Sequence, residues 1–404
     1  MKLSLCTIVK NEEATLPKCL GSVKDLVDEM VVLDTGSTDR TVEIAQEFGA
    51  SVHHFDWCND FAAARNESLK YAQGDWILVL DADEVLTPEV VPQIKQLVNG
   101  NGNLQGNPYL LMNLIRQEIG AQQSPYSLVS RLFRNQPGIQ FERPYHAMID
   151  DSVQRMLQQQ SNQWQVGSLM EVAILHQGYQ AEAIASRDKL TRAREAMESY
   201  LCAHPNDAYT CSKLGALYVQ TEEIKRGMQL LKLGLAASTR LEPLVVYELH
   251  YHLGIAYTRK QKLSKAKAQY EKAVALPILE PIKLGAYNNL GNLLLETGNI
   301  TGAIATYQKV LQIDPSLSSA YFNLGIALKE KKQIPLAIAA YQRALQLNPN
   351  YAEAYQNLGV ALLKGGNILD GLEAFRRAVS LYEQRKSPAG PALRQSLKDM
   401  GFKI

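Results

Sequence analysis

The sequence predicts an α/β domain with a mainly parallel sheet, followed by an all-α stack of helical hairpins. Three observations carry this reading. Short apolar runs alternate with amphipathic stretches up to about residue 178. The strand signal then stops. From about residue 181 onward, small and aromatic residues recur at spacings that settle to 34.

In the first half, residues 3–9, 30–34, 51–55 and 76–80 read as strands. Their continuous apolar character suits parallel strands buried on both faces. Residues 12–26, 38–48 and 60–72 read as the helices between them. Thr87-Pro88-Glu89 reads as a helix start, with an N-cap threonine, proline at the first helical position and an acid at the positive dipole end.

In the second half, Gly215, Gly254, Gly291, Gly325 and Gly359 each follow a leucine, at successive spacings of 39, 37, 34 and 34 residues. The unit near Ser318 is the most regular, with Leu324, Gly325, Ala337, Tyr341, Ala344 and Pro349 at fixed offsets. Gly291, Ala303, Tyr307 and Pro315 repeat the pattern before it. Gly359, Gly371, Phe375 and Ala378 repeat it after, and Gly254, Ala266, Tyr270 and Ala273 earlier still. Gly215, Gly227, Leu231 and Gly234 form a degenerate first unit. This pattern resembles the tetratricopeptide repeat, a helix-turn-helix unit of about 34 residues. Small residues let two helices cross closely, and the aromatic ring is expected to fill the gap between hairpins. Residues 392–404, after Pro388-Ala389-Gly390-Pro391, read as a final helix covering the last repeat. The division expected is therefore 1–180, 181–245 (a helical linker with the degenerate repeat), 246–385 (repeats) and 386–404 (cap).

Composition excludes several function classes. The 404 residues carry 42 basic and 41 acidic side chains, a net charge of +1, so nothing points to a nucleic-acid partner. No apolar run reaches the roughly 18–20 residues of a membrane span. The opening residues reach Lys10-Asn11-Glu12-Glu13 too soon for a signal peptide. The five cysteines form no C-x-x-C pair. Reduced thiols and a cytoplasmic location are expected.

Three segments leave predicted parallel strands at their carboxyl ends, the edge where open α/β sheets bind ligands. They are residues 7–13, residues 31–39 with Asp34-Thr35-Gly36-Ser37-Thr38-Asp39, and residues 74–84 with Asp81-Ala82-Asp83-Glu84. No G-x-G-x-x-G follows the first strand and no G-x-x-x-x-G-K-[ST] occurs, which disfavours dinucleotide-binding and P-loop chemistry. Asp34, Asp81 and Asp83 instead bring carboxylates to one rim. A carboxylate pair one residue apart can hold a divalent ion that also takes diphosphate oxygens. The blander alternatives are a turn cap for Asp34 and solvated strand-end acids for Asp81 and Asp83. His53 and His54 would point to opposite strand faces, which disfavours a shared zinc ion.

Together the I-V-K-N-E-E opening, the D-T-G-S-T-D turn, D-F-A-A-A-R-N and L-D-A-D-E resemble the family 2 glycosyltransferases of the GT-A fold over residues 1–180. The resemblance implies a Rossmann-like domain that moves a sugar from a nucleotide-diphosphate donor, a UDP-sugar foremost, with Mg2+ or Mn2+ and inversion. Thr7, Val9 and Asn11 would border the nucleoside, with Asp34 and Thr35 near its base or ribose. Arg65 would face the diphosphate. Asp81 and Asp83 match the metal motif, and His176 matches a late histidine near the metal. The branch shows a His-Glu pair where this chain has His146-Ala147, so the catalytic base is sought among Glu142, Asp150 and Asp151. The repeats would supply a groove for a peptide or protein acceptor or partner, or a homodimer contact. The competing reading is a repeat-built interaction scaffold whose transferase domain binds nucleotide with little turnover.

Overall fold

The computed structural model describes residues 1–100, 107–121, 124–160, 163–177, 185–237 and 241–402. The expected boundary at 180/181, Gly178 and Tyr179 beside His176, and the last two residues of the expected cap lie outside them. The chain forms two compact units, Met1–Leu217 and Tyr218–Ile404.

The first unit runs β1 (Leu3–Val9), α1 (Leu16–Val23), β2 (Glu29–Asp34), α2 (Thr41–Glu47), β3 (Ser51–His54), α3 (Phe61–Leu69) and β4 (Trp76–Val79). It continues with β5 (Glu84–Leu86), α4 (Val91–Asn99), β6 (Tyr109–Glu118), β7 (Tyr126–Arg134), α5 (Asp150–Gln159), β8 (Gln165–His176), α6 (Ala185–Ala203) and most of α7 (Ala208–Gln220). The eight strands form one sheet in the order β3-β2-β1-β4-β7-β6-β8-β5. β1 to β4 are parallel to one another, and β7 then joins β4 antiparallel. β6 runs antiparallel to β7 and parallel to β8, and β5 closes the far edge antiparallel to β8. The expected strands and helices appear in order, with the helices a few residues shorter. The reason is local. Thr41 Oγ1, at the start of α2, accepts from the Glu12 amide at 2.7 Å, and Asp39 accepts from the Thr41 amide at 3.0 Å, so Glu12 before α1 and Asp39 before α2 are spent on stitching loops.

The sheet is covered on both faces. Leu5, Val32, Leu78, Leu132 and Ile174 face α1 and α4 with Leu16, Leu20 and Ile94. Cys6, Val31, Ile77, Val79 and Phe133 face α3 and α5 with Ala62, Val153 and Met156. Such two-sided burial is why these strands read as unbroken apolar runs. A helix starts at Thr87 as expected: Thr87 holds the N-cap position, Pro88 and Glu89 follow in a single 3-10 turn, and that turn leads into α4. The Thr87 hydroxyl makes no capping bond, however; it donates to the Val172 carbonyl at 2.7 Å and holds β8.

The second unit carries α8 (Ile224–Ala236), α9 (Pro243–Arg259), α10 (Leu263–Val274), α11 (Leu284–Glu296), α12 (Ile300–Ile313), α13 (Ser318–Glu330), α14 (Ile334–Leu347), α15 (Ala352–Lys364), α16 (Ile368–Gln384) and α17 (Ala389–Asp399). The gap that each repeat aromatic fills lies inside its hairpin, over the glycine of the first helix, and not between hairpins as expected. A Cβ on Gly254, Gly291, Gly325 or Gly359 would lie 2.4, 2.6, 2.5 or 2.9 Å from the ring of Tyr270, Tyr307, Tyr341 or Phe375. Only glycine permits that approach, and the rings are fully buried as a result. α17 packs Ala389 and Leu393 against Ala378, Leu381 and Tyr382 of the last repeat.

Candidate active site

β1 lies between β2 and β4, and the chain order reverses between β1 and β4. A crevice at the carboxyl ends of strands opens at such a point. The first two expected segments are sewn together there. Asn11, held at φ 57°, takes a hydrogen bond from the Thr38 amide at 2.8 Å, and its own amide donates to Ser37 Oγ at 2.9 Å. The Val9 carbonyl accepts from both the amide and the hydroxyl of Thr35, each at 2.9 Å. Asp34 is buried and accepts from the amides of Gly36 and Ser37 at 3.1 Å, while His54 Nδ1 lies 3.2 Å away. Asp34 is thus a turn-forming carboxylate as well as a rim residue, and Gly36 at φ 101° supplies the turn. Thr7 is buried within β1, and its hydroxyl has no hydrogen-bond partner among the described residues. His53 stacks on Tyr71 at 3.6 Å, away from His54.

At the end of β4 the two aspartates separate. Arg65 Nη2 donates to Asp81 Oδ1 at 2.7 Å and Arg131 Nη2 to Asp81 Oδ2 at 2.7 Å. Both arginines are buried. Arg65 also donates to the Ala147 carbonyl at 3.1 Å and lies over the Phe141 ring. Burial alone would raise the Asp81 carboxyl; Arg131 and Arg65 outweigh it and hold it well below the usual carboxylate range. Asp81 therefore serves as the half-buried anchor of the rim. Asp83 lies beside His176, with Nε2 3.2 Å from Asp83 Oδ2 and Nδ1 2.6 Å from Glu118 Oε2. Burial lowers the His176 pKa, but the two carboxylates raise it further, to about 9. Asp83, Lys18, Thr15 and Gln177 line a small pocket at this point.

The structure adds residues that sequence reasoning missed. Arg116 links Glu84 at 2.7 Å and Glu118 at 2.9 Å, so a chain of ion pairs, buried at Arg131, Glu84 and Glu118, runs Asp81, Arg131, Glu84, Arg116, Glu118, His176, Asp83. Two charged residues two apart at the end of β6, after a mostly apolar run, were the available signal. The three base candidates differ in their surroundings. Glu142 pairs with Arg155, and Asp151 pairs with Arg143. Asp150 hydrogen-bonds Ser130 Oγ at 2.8 Å and has no cationic partner within ion-pair distance among the described residues. His146 is exposed at φ 52°, and the neighbouring Ala147 is buried in the apolar cluster under α5.

A family model described as glycosyl transferase family 2 matches residues 4–163. Tetratricopeptide repeat models match residues 247–277, 291–332, 327–366 and 352–385. A TPR repeat-containing protein of Synechococcus elongatus is 45% identical over 299 residues, covering 74% of this chain and 72% of that protein. An uncharacterized glycosyltransferase of Rickettsia bellii is 31% identical over 155 residues, 38% of this chain and 52% of its own length. Among solved structures, YrrB, a TPR protein with an unusual peptide-binding site, aligns at TM-score 0.42 and 19% identity over 51% of this chain and all of its own.

Proposed function

Because the chain belongs to the family 2 glycosyltransferases that carry C-terminal tetratricopeptide repeats, we propose that it moves a sugar from a nucleoside diphosphate donor to an acceptor hydroxyl or thiol, with inversion. The observation that carries this reading is the meeting of Asp83 and His176 at the rim beside the β1–β4 reversal, backed by a carboxylate on the far nitrogen of the imidazole. One carboxylate and one imidazole fit a Mg2+ or Mn2+ ion that takes its remaining oxygens from a diphosphate and water. Bound there, the ion would neutralise charge developing on the leaving diphosphate.

The chain's own residues do the rest. Glu118 fixes the orientation of His176, as carboxylates behind metal-binding histidines do. Arg65 and Arg131 neutralise Asp81 and stiffen the turn that presents Asp83. The stitched loops of Asn11, Asp34 and Thr35, above the buried Thr7 and Val9, form the floor for the nucleoside. The donor is proposed to be a UDP-sugar, and the repeats to present a peptide or protein acceptor or partner.

The test is melting temperature against nucleoside diphosphates and sugar nucleotides, with and without Mn2+, for wild type and Asp83→Ala. Ligand that binds only the folded state raises the melting temperature by mass action. A Mn2+-dependent rise with one nucleotide, absent in Asp83→Ala, is expected. No rise with any nucleotide would sink the donor site.

A further inference from the structure

The family resemblance calls for a glutamate at 147, yet Ala147 is buried as a member of the apolar cluster that also holds Ile139, Phe141 and Ile149. A carboxylate there would be buried among hydrocarbon at prohibitive cost. The proton of the acceptor must go elsewhere. Resting on the glycosyl-transfer reading above, we propose that Asp150 is the general base that takes it.

A β-bulge interrupts the pairing of β6 with β7. β6 and β7 pair Met112 with Leu132 and then Asn113 with Ser130, which leaves Arg131 without an opposite residue. Bulges re-aim side chains next to active sites. Here the two successive residues reach two different carboxylates: Arg131 holds Asp81 at 2.7 Å and Ser130 holds Asp150 Oδ1 at 2.8 Å. Arg65 makes the second link, since one nitrogen holds Asp81 and the other the Ala147 carbonyl, three residues before Asp150. Asp150 is thereby fixed to the same rim as the proposed metal site.

Its surroundings suit a base. Oδ2 is buried and has no hydrogen-bond partner among the described residues. A buried acceptor left unmatched calls for a donor from outside the chain. The rival acids are neutralised: Glu142 by Arg155, and Asp151 by Arg143, which Asp207 also holds at 2.7 Å. Ser130 Oγ also lies 2.9 Å from Asn113 Oδ1. A hydroxyl has one proton, so Ser130 donates to Asp150 when the Asn113 amide turns its NH2 to Ser130. Burial pushes the Asp150 carboxyl from the ordinary 3.8 up to about 6, Asp151 adds to the rise, and Ser130 and Arg143 oppose it. The charged groups acting on it are Asp151 beside it and Arg143 from the preceding loop; the sheet presents Ser130 and Asn113. A base with a pKa near the working pH is efficient. In the step, the acceptor oxygen or sulfur forms its bond to the anomeric carbon. The bond from that carbon to the diphosphate oxygen breaks, its electron pair leaving on the nucleoside diphosphate. The acceptor proton ends on Asp150 Oδ2.

The experiment uses the full chain with Mn2+ and a panel of UDP-, GDP- and dTDP-sugars, with water or azide as the nucleophile. Release of nucleoside diphosphate and formation of glycosyl azide are both measured. Azide carries no proton and needs no base. Asp150→Asn is expected to slow water-driven release by about 10²–10⁴-fold. It should keep azide-driven turnover and an unchanged Kd for the nucleoside diphosphate with Mn2+. Ser130→Ala, which removes the hydrogen bond that lowers Asp150, is expected to move the acid limb of the kcat profile upward from about 6. Wild-type release from no donor with either nucleophile would overturn the glycosyl-transfer reading itself. Wild-type turnover that Asp150→Asn leaves intact, or that it abolishes with azide as well as water, would overturn only the base. So would a Ser130→Ala profile with its acid limb unmoved.

Discussion

Asp81 and Asp83 are one residue apart, and their neighbours give them different work. Asp81 has a bidentate grip from Arg131 and a second arginine in Arg65, which leaves no oxygen unmatched. Asp83 faces a histidine whose other nitrogen is held by Glu118, the arrangement that orients an imidazole for a metal. Glu118→Gln keeps the shape and weakens that hold. It is expected to weaken Mn2+ binding about 10–100-fold, read by titration calorimetry; an unchanged Kd would contradict the role. Asp150 gives a prediction in the opposite sense. Its pKa in the folded state lies above the ordinary value, so its favourable contribution is complete below 3.8 and is lost as pH rises through about 6. At pH 8 the ionised carboxylate is an unfavourable buried charge. Asp150→Asn is therefore expected to match wild type near pH 4 and to melt a few degrees higher at pH 8. A melting temperature below wild type at pH 8 would show that the carboxylate is structural.

Among the elements, β7 and the loop after it hold the carboxylates Asp81, Asp150 and Asp151. The bulge at Arg131 directs two adjacent residues to two carboxylates, and Arg143 then fixes the turn that delivers α5. Arg143 is nearly buried, stands at φ 76°, and binds Asp207 through two nitrogens at 2.7 and 3.2 Å. Asp207 in turn caps the first turn of α7 through the Thr210 amide. Removing one member leaves a buried charge unpaired, so Arg143→Ala is expected to cost about 3 kcal/mol in urea unfolding. A loss under 1 kcal/mol would mean that solvent already screens the pair. This region was also the least legible in the sequence. β1 to β4 announce themselves because two-sided burial leaves only apolar residues. Arg116, Glu118 and Arg131 break the pattern in β6 and β7, since their charges are neutralised by partners distant in the chain, Glu84, His176 and Asp81. Glu118 meets His176 across 58 residues and Arg131 meets Asp81 across 50. Local periodicity carries no trace of such pairs. Asp83 could be found because its neighbours in sequence form the motif; Glu118 could not, because its neighbours in space do.

At the scale of the whole molecule, two kinds of core coexist in one chain. The first unit buries a single sheet between helical layers, with partners far apart in sequence. The second repeats one local solution, a ring seated on a glycine within each hairpin. The repeats were legible for that reason, since each contact is closed within about 16 residues, as from Gly325 to Tyr341. The two kinds of core should respond to different perturbations. Alanine is the better helix former by about 1 kcal/mol, so Gly325→Ala would stabilise an exposed helix. In α13 its Cβ would lie 2.5 Å from the buried Tyr341 ring, and overpacking of that kind costs about 1–3 kcal/mol. The second effect is expected to win. Hydrogen exchange read by mass spectrometry separates the cases. Gly325→Ala should speed exchange across α13 and α14, whereas UDP with Mn2+ should slow exchange at the carboxyl ends of β1, β2 and β4. Unchanged exchange in α13 and α14 would show that the ring shifts to admit the methyl group. The glycine would then record helix packing in general and not the seat of one aromatic side chain.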